Sequence, residues 1–335
     1  MINTKIIKGN FGALFAQMPS VTMQTAVVIT DEHVFALHQQ KFEGIPTIVI
    51  KAGEQHKQQA TINDIVQQLI ALEIDRNCFI IGVGGGVVTD MAGYVASIYM
   101  RGVKFGFVPT TILAMVDAAI GGKNGIDVGL YKNLVGTINQ PHFLLYDYSF
   151  LQTLPQAEWI NGFAEIIKHA CIKDEALFDW LNHQSLQFFQ KNTAALAVLI
   201  DQNVAIKSTI VIQDEFENGD RKLLNFGHTL GHAIENVYQL PHGHAVSIGM
   251  VMACTISEEI NNFSSAEKDK VIALLQKYNL PTTFNFDKAA IWHLLKMDKK
   301  RKSESINFIL LNTIGEAIIK PISLVQLQSL IQQNI

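Results

Sequence analysis

Phe79-Ile80-Ile81-Gly82-Val83-Gly84-Gly85-Gly86-Val87-Val88-Thr89-Asp90 is the stretch on which the fold turns. It runs from an apolar strand through a glycine loop into a helix. Residues without side chains let the backbone approach a pyrophosphate, whose charge then sits at the helix N-terminus. Val87 stands where the third glycine of GxGxxG belongs, so the stretch departs from the ordinary dinucleotide fingerprint. The alternative is a tight strand-to-helix turn with Asp90 near the helix start.

Outward from this loop, the first half alternates apolar runs at 26–30, 47–50, 79–83, 104–108 and 143–146 with amphipathic stretches at 32–39, 59–72 and 89–101. That alternation predicts a parallel, doubly wound sheet. From about Ala157 helical patterns dominate, at 157–173, 174–190, 194–213, 229–238, 245–262, 266–278 and 324–333, with a single strand pattern at 306–311. The break falls near Leu154-Pro155. The expected architecture is an α/β Rossmann-like N-terminal domain (1–155), then a mostly α-helical C-terminal domain (156–335), with a catalytic cleft between them. Asp31, just after a strand, could accept from a ribose hydroxyl or cap a helix.

Composition narrows the function. The chain has 335 residues, 48% of them hydrophobic, enough for two domains with large cores. A formal charge of -4 argues against nucleic acid as a main partner, though not against a small cationic pocket. Cys78, Cys171 and Cys254 are widely spaced among apolar neighbours and read as buried reduced thiols. Met1 to Lys5 leads into a mixed segment without a long apolar run, and no stretch reaches the ~18 uninterrupted apolar residues of a membrane span. A soluble cytoplasmic protein is expected.

Two segments read together as a metal site. Asn225-Phe226-Gly227-His228-Thr229-Leu230-Gly231-His232-Ala233-Ile234-Glu235 is followed by Pro241-His242-Gly243-His244-Ala245-Val246. Four of the chain's 11 histidines fall within the 17 residues from His228 to His244; the alternative is a pair of helix histidines satisfied by hydrogen bonds. His228 and His232 share one helix face, and a loop after the helix supplies another imidazole. Two or three histidines, with or without a carboxylate, suit zinc. Local reading leaves His232, His242, His244, Glu235 and Glu165 open as the remaining ligands. Thr229 follows His228 where HExxH needs glutamate, which excludes a zinc metalloprotease of that type.

Charged residues also interrupt apolar or glycine-rich sequence. Asp117 lies inside the apolar run 112–120, where an acid is costly to bury without a partner. Lys123 follows Gly121-Gly122, Lys132 precedes Asn133, and Glu165 and Lys168 share a helix face; Arg101, Lys207 and Arg221 are further cations. For each cation alone a solvated face is the better reading.

Arg101-Gly102, Pro109-Thr110-Thr111-Ile112-Leu113-Ala114, Val116-Asp117, Gly121-Gly122-Lys123, Lys132-Asn133, the run from Gly162 to Lys168, the run from Leu224 to His232, His242-Gly243 and Asp298-Lys299-Lys300 occur in the order seen in the 3-dehydroquinate synthase family. The chain resembles that family from about Asp31 to Gly315. The resemblance implies NAD and a divalent metal, zinc or cobalt, as cofactors. It implies conversion of 3-deoxy-D-arabino-heptulosonate 7-phosphate to 3-dehydroquinate and phosphate. The route is transient oxidation, β-elimination, re-reduction and intramolecular aldol closure.

By the same resemblance the metal ligands are Glu165, His228 and His242, with His232 behind them or on the substrate side. Asp117, Lys123, Lys132, Asn133, Lys168, Lys207, Arg221, Asn225 and His232 match substrate-site positions, completed by Arg101 and one of Lys299 or Lys300. Asp31, Glu54, Lys57, Gly85, Gly86, Val87, Val88, Thr89, Asp90, Thr110, Thr111, Lys123, Lys132, Phe150, Leu151, Gln152 and Thr153 match NAD-contacting positions. The resemblance also implies a homodimer, with Arg101 reaching the substrate phosphate of the neighbouring subunit.

Three motifs depart from the family pattern. Its HGE is His242-Gly243-His244 here, its VDSS is Val116-Asp117-Ala118-Ala119, and its GKN is Tyr131-Lys132-Asn133. His244 is therefore a competitor for the metal. The rival readings are another sugar phosphate cyclase, a metal-dependent polyol dehydrogenase, and an inactive NAD- or metal-binding regulator.

Overall fold

The structure, a computed structural model, describes residues 4–129, 131–299 and 305–334. It divides into two compact units, Met1–Glu158 and Trp159–Ile335.

The first unit contains β1 (Lys5–Lys8), α1 (Ala13–Gln17), β2 (Ala26–Asp31), α2 (Glu32–His38), β3 (Thr47–Ile50), α3 (Gln59–Ala71), β4 (Phe79–Gly84), α4 (Gly86–Ile98), β5 (Lys104–Pro109), β6 (Lys123–Val128), β7 (Tyr131–Ile138) and β8 (Phe143–Tyr146). Six strands form one sheet in the order β1-β8-β5-β4-β2-β3, every pair parallel. Strands inside such a sheet are covered on both faces, so they read as unbroken apolar runs. All of β4 is buried, as is β2 up to Thr30. From β2 the chain passes to β3 on one side; from β4 it passes to β5 on the other. The loops leaving these two adjacent strands diverge, which opens a crevice at their carboxyl ends. Asp31 and the glycine loop lie there, one register step beyond the pair Thr30 and Val83.

The second unit begins within α5 (Gln156–Lys173). It continues through α6 (Glu175–His183), α7 (Leu186–Lys191), α8 (Thr193–Gln213), α9 (His228–Tyr238), α10 (His242–Asn261), α11 (Ser265–Lys277), α12 (Lys288–Lys299), β9 (Ser305–Thr313), β10 (Glu316–Ser323) and α13 (Leu324–Asn334). Phe163 of α5 stacks on Tyr278, ring centroids 4.9 Å apart, near the middle of its core. By length and composition α8 could cross a membrane. In the structure it buries Leu196, Leu199, Ile200, Ile210 and Val211, together with Asn203 and Lys207, and leaves Val198 and Ile212 exposed.

Several expectations need correction. The stretch 174–190 is two helices, because Ser185 caps a new one with its hydroxyl on the Phe188 amide. The helix expected from Thr89 starts at Gly86, inside the glycine run, and ends at Ile98 before a 3-10 turn, Tyr99–Arg101. His242, expected on a loop, is the first residue of α10. The single strand at 306–311 is half of an antiparallel hairpin, β9–β10. Lys123 and Lys132 belong to a second hairpin, β6–β7, that the strand patterns did not include. All three cysteines are buried and free, as expected.

Buried Asp147 ties the start of the chain to the last strand of the sheet. It accepts from the Phe11 amide at 2.9 Å, the Lys41 ammonium at 3.0 Å and the Ser149 amide at 3.0 Å. Removing it strands a buried N–H and a lysine. Asp147→Ala is predicted to lower the stability of the first unit in urea unfolding by about 2 kcal/mol, and Asp147→Asn by less. An unchanged midpoint for the alanine variant would refute this role.

Candidate active site

Glu165 sits in the middle of α5 with its side chain fully buried, 0% exposed. One carboxylate oxygen, Oε2, is paired with the Lys168 ammonium one turn along the helix, itself 1% exposed. The other, Oε1, faces two imidazoles: His228 Nε2 at 3.5 Å and His242 Nε2 at 3.4 Å. Each imidazole is oriented from behind. His228 Nδ1 lies 3.1 Å from the Phe226 carbonyl, which can only accept, so the proton is on Nδ1 and the Nε2 lone pair points at Glu165. His242 Nδ1 lies 3.3 Å from Glu235 Oε2, again an acceptor.

This donor set calls for a cation. A carboxylate oxygen and two imidazole nitrogens, all within 4.8 Å of one another, form a set that could hold a metal ion. In a tetrahedral site with bonds of about 2.0–2.1 Å, neighbouring donor atoms stand about 3.3–3.4 Å apart. The separations from Glu165 Oε1 match that edge. The electrostatics agree. Burial, then the Lys168 ammonium, hold the His228 imidazole well below its usual pKa. Burial pulls His242 down too, but hydrogen bonds and charges from Glu165 and Glu235 outweigh it and raise that imidazole to about 10. The spot between the two carboxylates draws positive charge. His232, one turn beyond His228, is exposed, with its ring 4.9 Å from that of His228 and 6.0 Å from that of His242. His244 is half-buried and belongs to none of the donor clusters among the described residues.

Backbone contact brings these side chains together. Gly227 precedes α9 with a left-handed φ of 78°. A Cβ on Gly249 of α10 would stand 1.9 Å from the Gly227 carbonyl oxygen, so the two helices touch backbone to backbone. At its N-terminus α10 is held by α5, where Asn161 Oδ1 accepts from the Gly243 amide at 2.5 Å. Asn161 and Glu165 are one turn apart on α5. One helix face therefore fixes the start of α10 and supplies the carboxylate that His242 meets.

Other expected residues of this unit lie in its interior. Lys207 is buried on α8. One turn earlier on α8, Asn203 Oδ1 is 3.0 Å from His169 Nδ1 on α5. Arg221 is buried in the 3-10 turn Asp220–Asn225. Its guanidinium donates to the Glu215 carbonyl and its amide to Asp214 Oδ2. Asn225 donates to Glu217 Oε1 at 2.5 Å. Asn161, Asp214 and Glu217 were missed by sequence reasoning, because each acts through a loop or helix end that spacing alone does not reveal. Lys300 lies outside the described residues, as does the side chain of Lys299.

In the first unit, Gly85, Gly86 and Val87 open α4 half-exposed, while Val88 and Thr89 turn into the core. Among the described residues no side chain caps this N-terminus. Its first amides remain available to an anion. A Cβ on Gly84 would stand 2.5 Å from Val88, so only glycine permits this tight turn. The Thr110 amide donates to the Gly84 carbonyl at 2.9 Å, and Thr111 borders Gly85. Buried Lys57 pairs with Asp90 at 2.5 Å and donates to Asn133 at 2.6 Å, joining α4 to the β6–β7 hairpin. Lys132 reaches Glu54 at 3.9 Å.

Asp31 caps α2, accepting from the His33 and Val34 amides. In the turn Tyr148–Thr153, Phe150 and Leu151 are buried and Gln152 exposed, while Thr153 Oγ1 meets His38 Nε2 at 2.8 Å. Lys123 is exposed at the start of β6, and Asp117 is half-buried in a π-helical turn, Ala114–Ala118. Arg101 is exposed on a strained bend where Met100, Arg101 and Gly102 all have positive φ.

A Rossmann-like unit with a glycine loop, followed by a helical unit with a carboxylate–dihistidine cluster, is a layout the chain shares with the sugar phosphate cyclases. A solved member, 2-epi-5-epi-valiolone synthase from Streptomyces hygroscopicus with NAD+ and Zn2+ bound, superposes with a TM-score of 0.88 at 25% identity, covering 99% of this chain and 96% of that one. Residues 47–161 match the 3-dehydroquinate synthase N-terminal description and residues 162–301 the C-terminal one. A 3-dehydroquinate synthase of Campylobacter concisus is 39% identical over 303 residues, 88% of this chain and 86% of that protein. Another, of Sulfurimonas denitrificans, is 38% identical over 326 residues, 94% and 92% respectively. The chain belongs to the 3-dehydroquinate synthase family.

The helix contact at Gly249 gives a test of the geometry. Gly249→Ala is predicted to force α9 and α10 apart and cost about 1–3 kcal/mol, with weaker metal binding than in the parent. Thermal unfolding and a metal titration check both, and a variant unchanged in both would refute the contact's role.

Proposed function

We propose that this chain converts 3-deoxy-D-arabino-heptulosonate 7-phosphate to 3-dehydroquinate and phosphate, as a lyase of aromatic amino acid biosynthesis. The observation that carries the reading is Glu165 Oε1 facing the Nε2 atoms of His228 and His242 in a chain related over nearly its whole length to 3-dehydroquinate synthases. We assign NAD binding to the 1–155 domain and metal and substrate binding to the 156–335 domain. Glu165, His228 and His242 would hold a divalent ion, zinc or cobalt, and the glycine loop with Asp31, Glu54, Lys57, Thr110, Thr111 and the turn at 150–153 would hold NAD. Once bound, these groups supply Lewis-acid polarisation of the substrate hydroxyls and reversible hydride removal.

The protein's own residues bind, orient and stabilise. The substrate carries a carboxylate and a phosphate, so its cations must be concentrated locally in a chain of net charge -4. Lys168, Lys207 and Arg221 are buried, where low dielectric strengthens each contact to an anion. Arg221, Asn225 and His232 suit the carboxylate. Lys168, Asn133, Asn225 and His232 are assigned to the reacting carbons, where fixed donors stabilise an enolate. Asp117, Lys123, Lys132 and one of Lys299 or Lys300 complete the set. Elimination removes the C6 proton and breaks the bond to phosphate, whose own oxygen serves as base. The aldol step then closes the carbocycle.

We also assign a cytoplasmic homodimer. Val128, Tyr131, Leu134, Val135 and Ile138 of the β6–β7 hairpin are exposed apolar side chains on a two-stranded sheet, a surface that favours pairing with a second copy. Exposed Arg101 suits delivery to the substrate phosphate held by a partner.

Two measurements test these readings. Phosphate release from the heptulosonate phosphate is expected to require both NAD and metal, with no net gain in absorbance near 340 nm. His228→Ala is expected to abolish it while the first unit stays folded; full activity of chelator-treated protein would sink the proposal. Sedimentation is expected to give twice the 37.2 kDa chain mass, and Leu134→Asp to reduce it to one. A parent protein that sediments as a single chain refutes the dimer.

A further inference from the structure

We propose that Glu235 is a positioning residue of the metal centre, holding His242 in the tautomer and ring orientation that present Nε2 to the ion; this rests on the metal reading above. Glu235 lies on α9, seven residues beyond His228, and its carboxylate is 6% exposed. Its Oε2 stands 3.3 Å from His242 Nδ1, on the side of the ring opposite the nitrogen that faces Glu165. A carboxylate has no proton to give at neutral pH, so the hydrogen bond runs from His242 to Glu235. The Nδ1 proton is thereby fixed, and Nε2 is left as the nitrogen that faces Glu165 and that an ion would take in exchange for a proton.

The two imidazoles are held differently. The proton on His228 goes to a neutral backbone carbonyl, whose position is set by the turn itself. The proton on His242 goes to a charged side chain from the neighbouring helix. A carboxylate behind an imidazole makes it a stronger donor and restrains its rotation. His242 needs that restraint more, because it starts a helix and its side chain is 26% exposed, against 11% for His228. One helix, α9, thus supplies His228 as a ligand and Glu235 as the brace of the other histidine.

The same side chain has a competing role. His232, Glu235 and His242 also offer donor atoms within 4.8 Å of one another, so Glu235 could instead bind an ion of its own. Its position argues for the brace: Glu235 is buried, whereas an independent site would depend on exposed His232 and on the His242 nitrogen already engaged.

The test uses metal-stripped full-length protein titrated with Co2+, read by visible absorption and by competition with a chromophoric chelator, with circular dichroism reporting the fold. The parent is expected to bind one equivalent. Glu235→Ala is expected to weaken cobalt binding about 10–100-fold. Glu235→Gln, which keeps an acceptor of the same shape without the charge, should fall between the two and retain the parent's cobalt spectrum. His228→Ala is the control, expected to lose the site. If His228→Ala binds cobalt like the parent, the metal-centre reading itself fails. If His228→Ala loses cobalt and both Glu235 variants bind like the parent, the brace alone is overturned. A parent that binds two equivalents, one lost in Glu235→Gln, makes Glu235 a ligand and also overturns it. Should Glu235→Ala fail to fold, the isosteric variant decides.

Discussion

A carboxylate with no contact to water organises the second unit. Ionised Glu165 is costly to bury, and Lys168 neutralises only one of its oxygens. The other oxygen faces two imidazole nitrogens at the edge length of a tetrahedral metal site. Everything around it serves that arrangement: Asn161 anchors the start of α10, the Phe226 carbonyl sets His228, and a glycine contact lets α9 and α10 approach closely enough for both histidines to reach one carboxylate. The neighbouring lysines and arginine then share a unit whose interior already holds matched charge.

The sheet was legible in the sequence because a parallel strand buried on both faces has no polar option. The runs at 47–50 and 143–146 coincide with β3 and β8, and β4 extends the expected strand by one glycine. The first strand, β1, was missed because Lys5-Ile6-Ile7-Lys8 buries only Ile7 and carries lysines at both ends. The β6–β7 hairpin was missed for a related reason: apart from buried Ile126, its apolar residues Val128, Leu134, Val135 and Ile138 are exposed rather than alternating toward a core. The start of α4 was misplaced because glycine is a poor helix former, and only the strand-to-helix turn forces Gly86 into the first turn.

The metal centre was half legible. Spacing marked His228 and His232 as neighbours on one face, and the resemblance singled out Glu165 and His242. Geometry supplies the distinction that spacing lacked. His232, although four residues from His228, lies to the exposed side of the trio, and His244 joins no donor cluster. The supporting contacts were invisible for a simple reason. Asn161 holds an amide 82 residues away, and Asp214 closes the loop that carries Arg221; neither makes a pattern in linear sequence. In the first unit, Lys57, Asp90 and Asn133, each matched to a ligand-contacting position, also form a network among themselves. Their placement follows from the protein's own charges before any ligand enters.

Lys207 has a bearing on synthesis as well as on chemistry. It lies two-thirds of the way along α8, the most lipid-like segment among the described residues. A lysine well inside such a helix adds roughly 2.5–3.5 kcal/mol to the free energy of insertion by the translocon, and Asp201 adds a similar barrier. The buried ammonium thus makes α8 a poorer membrane span than its length and apolar composition suggest.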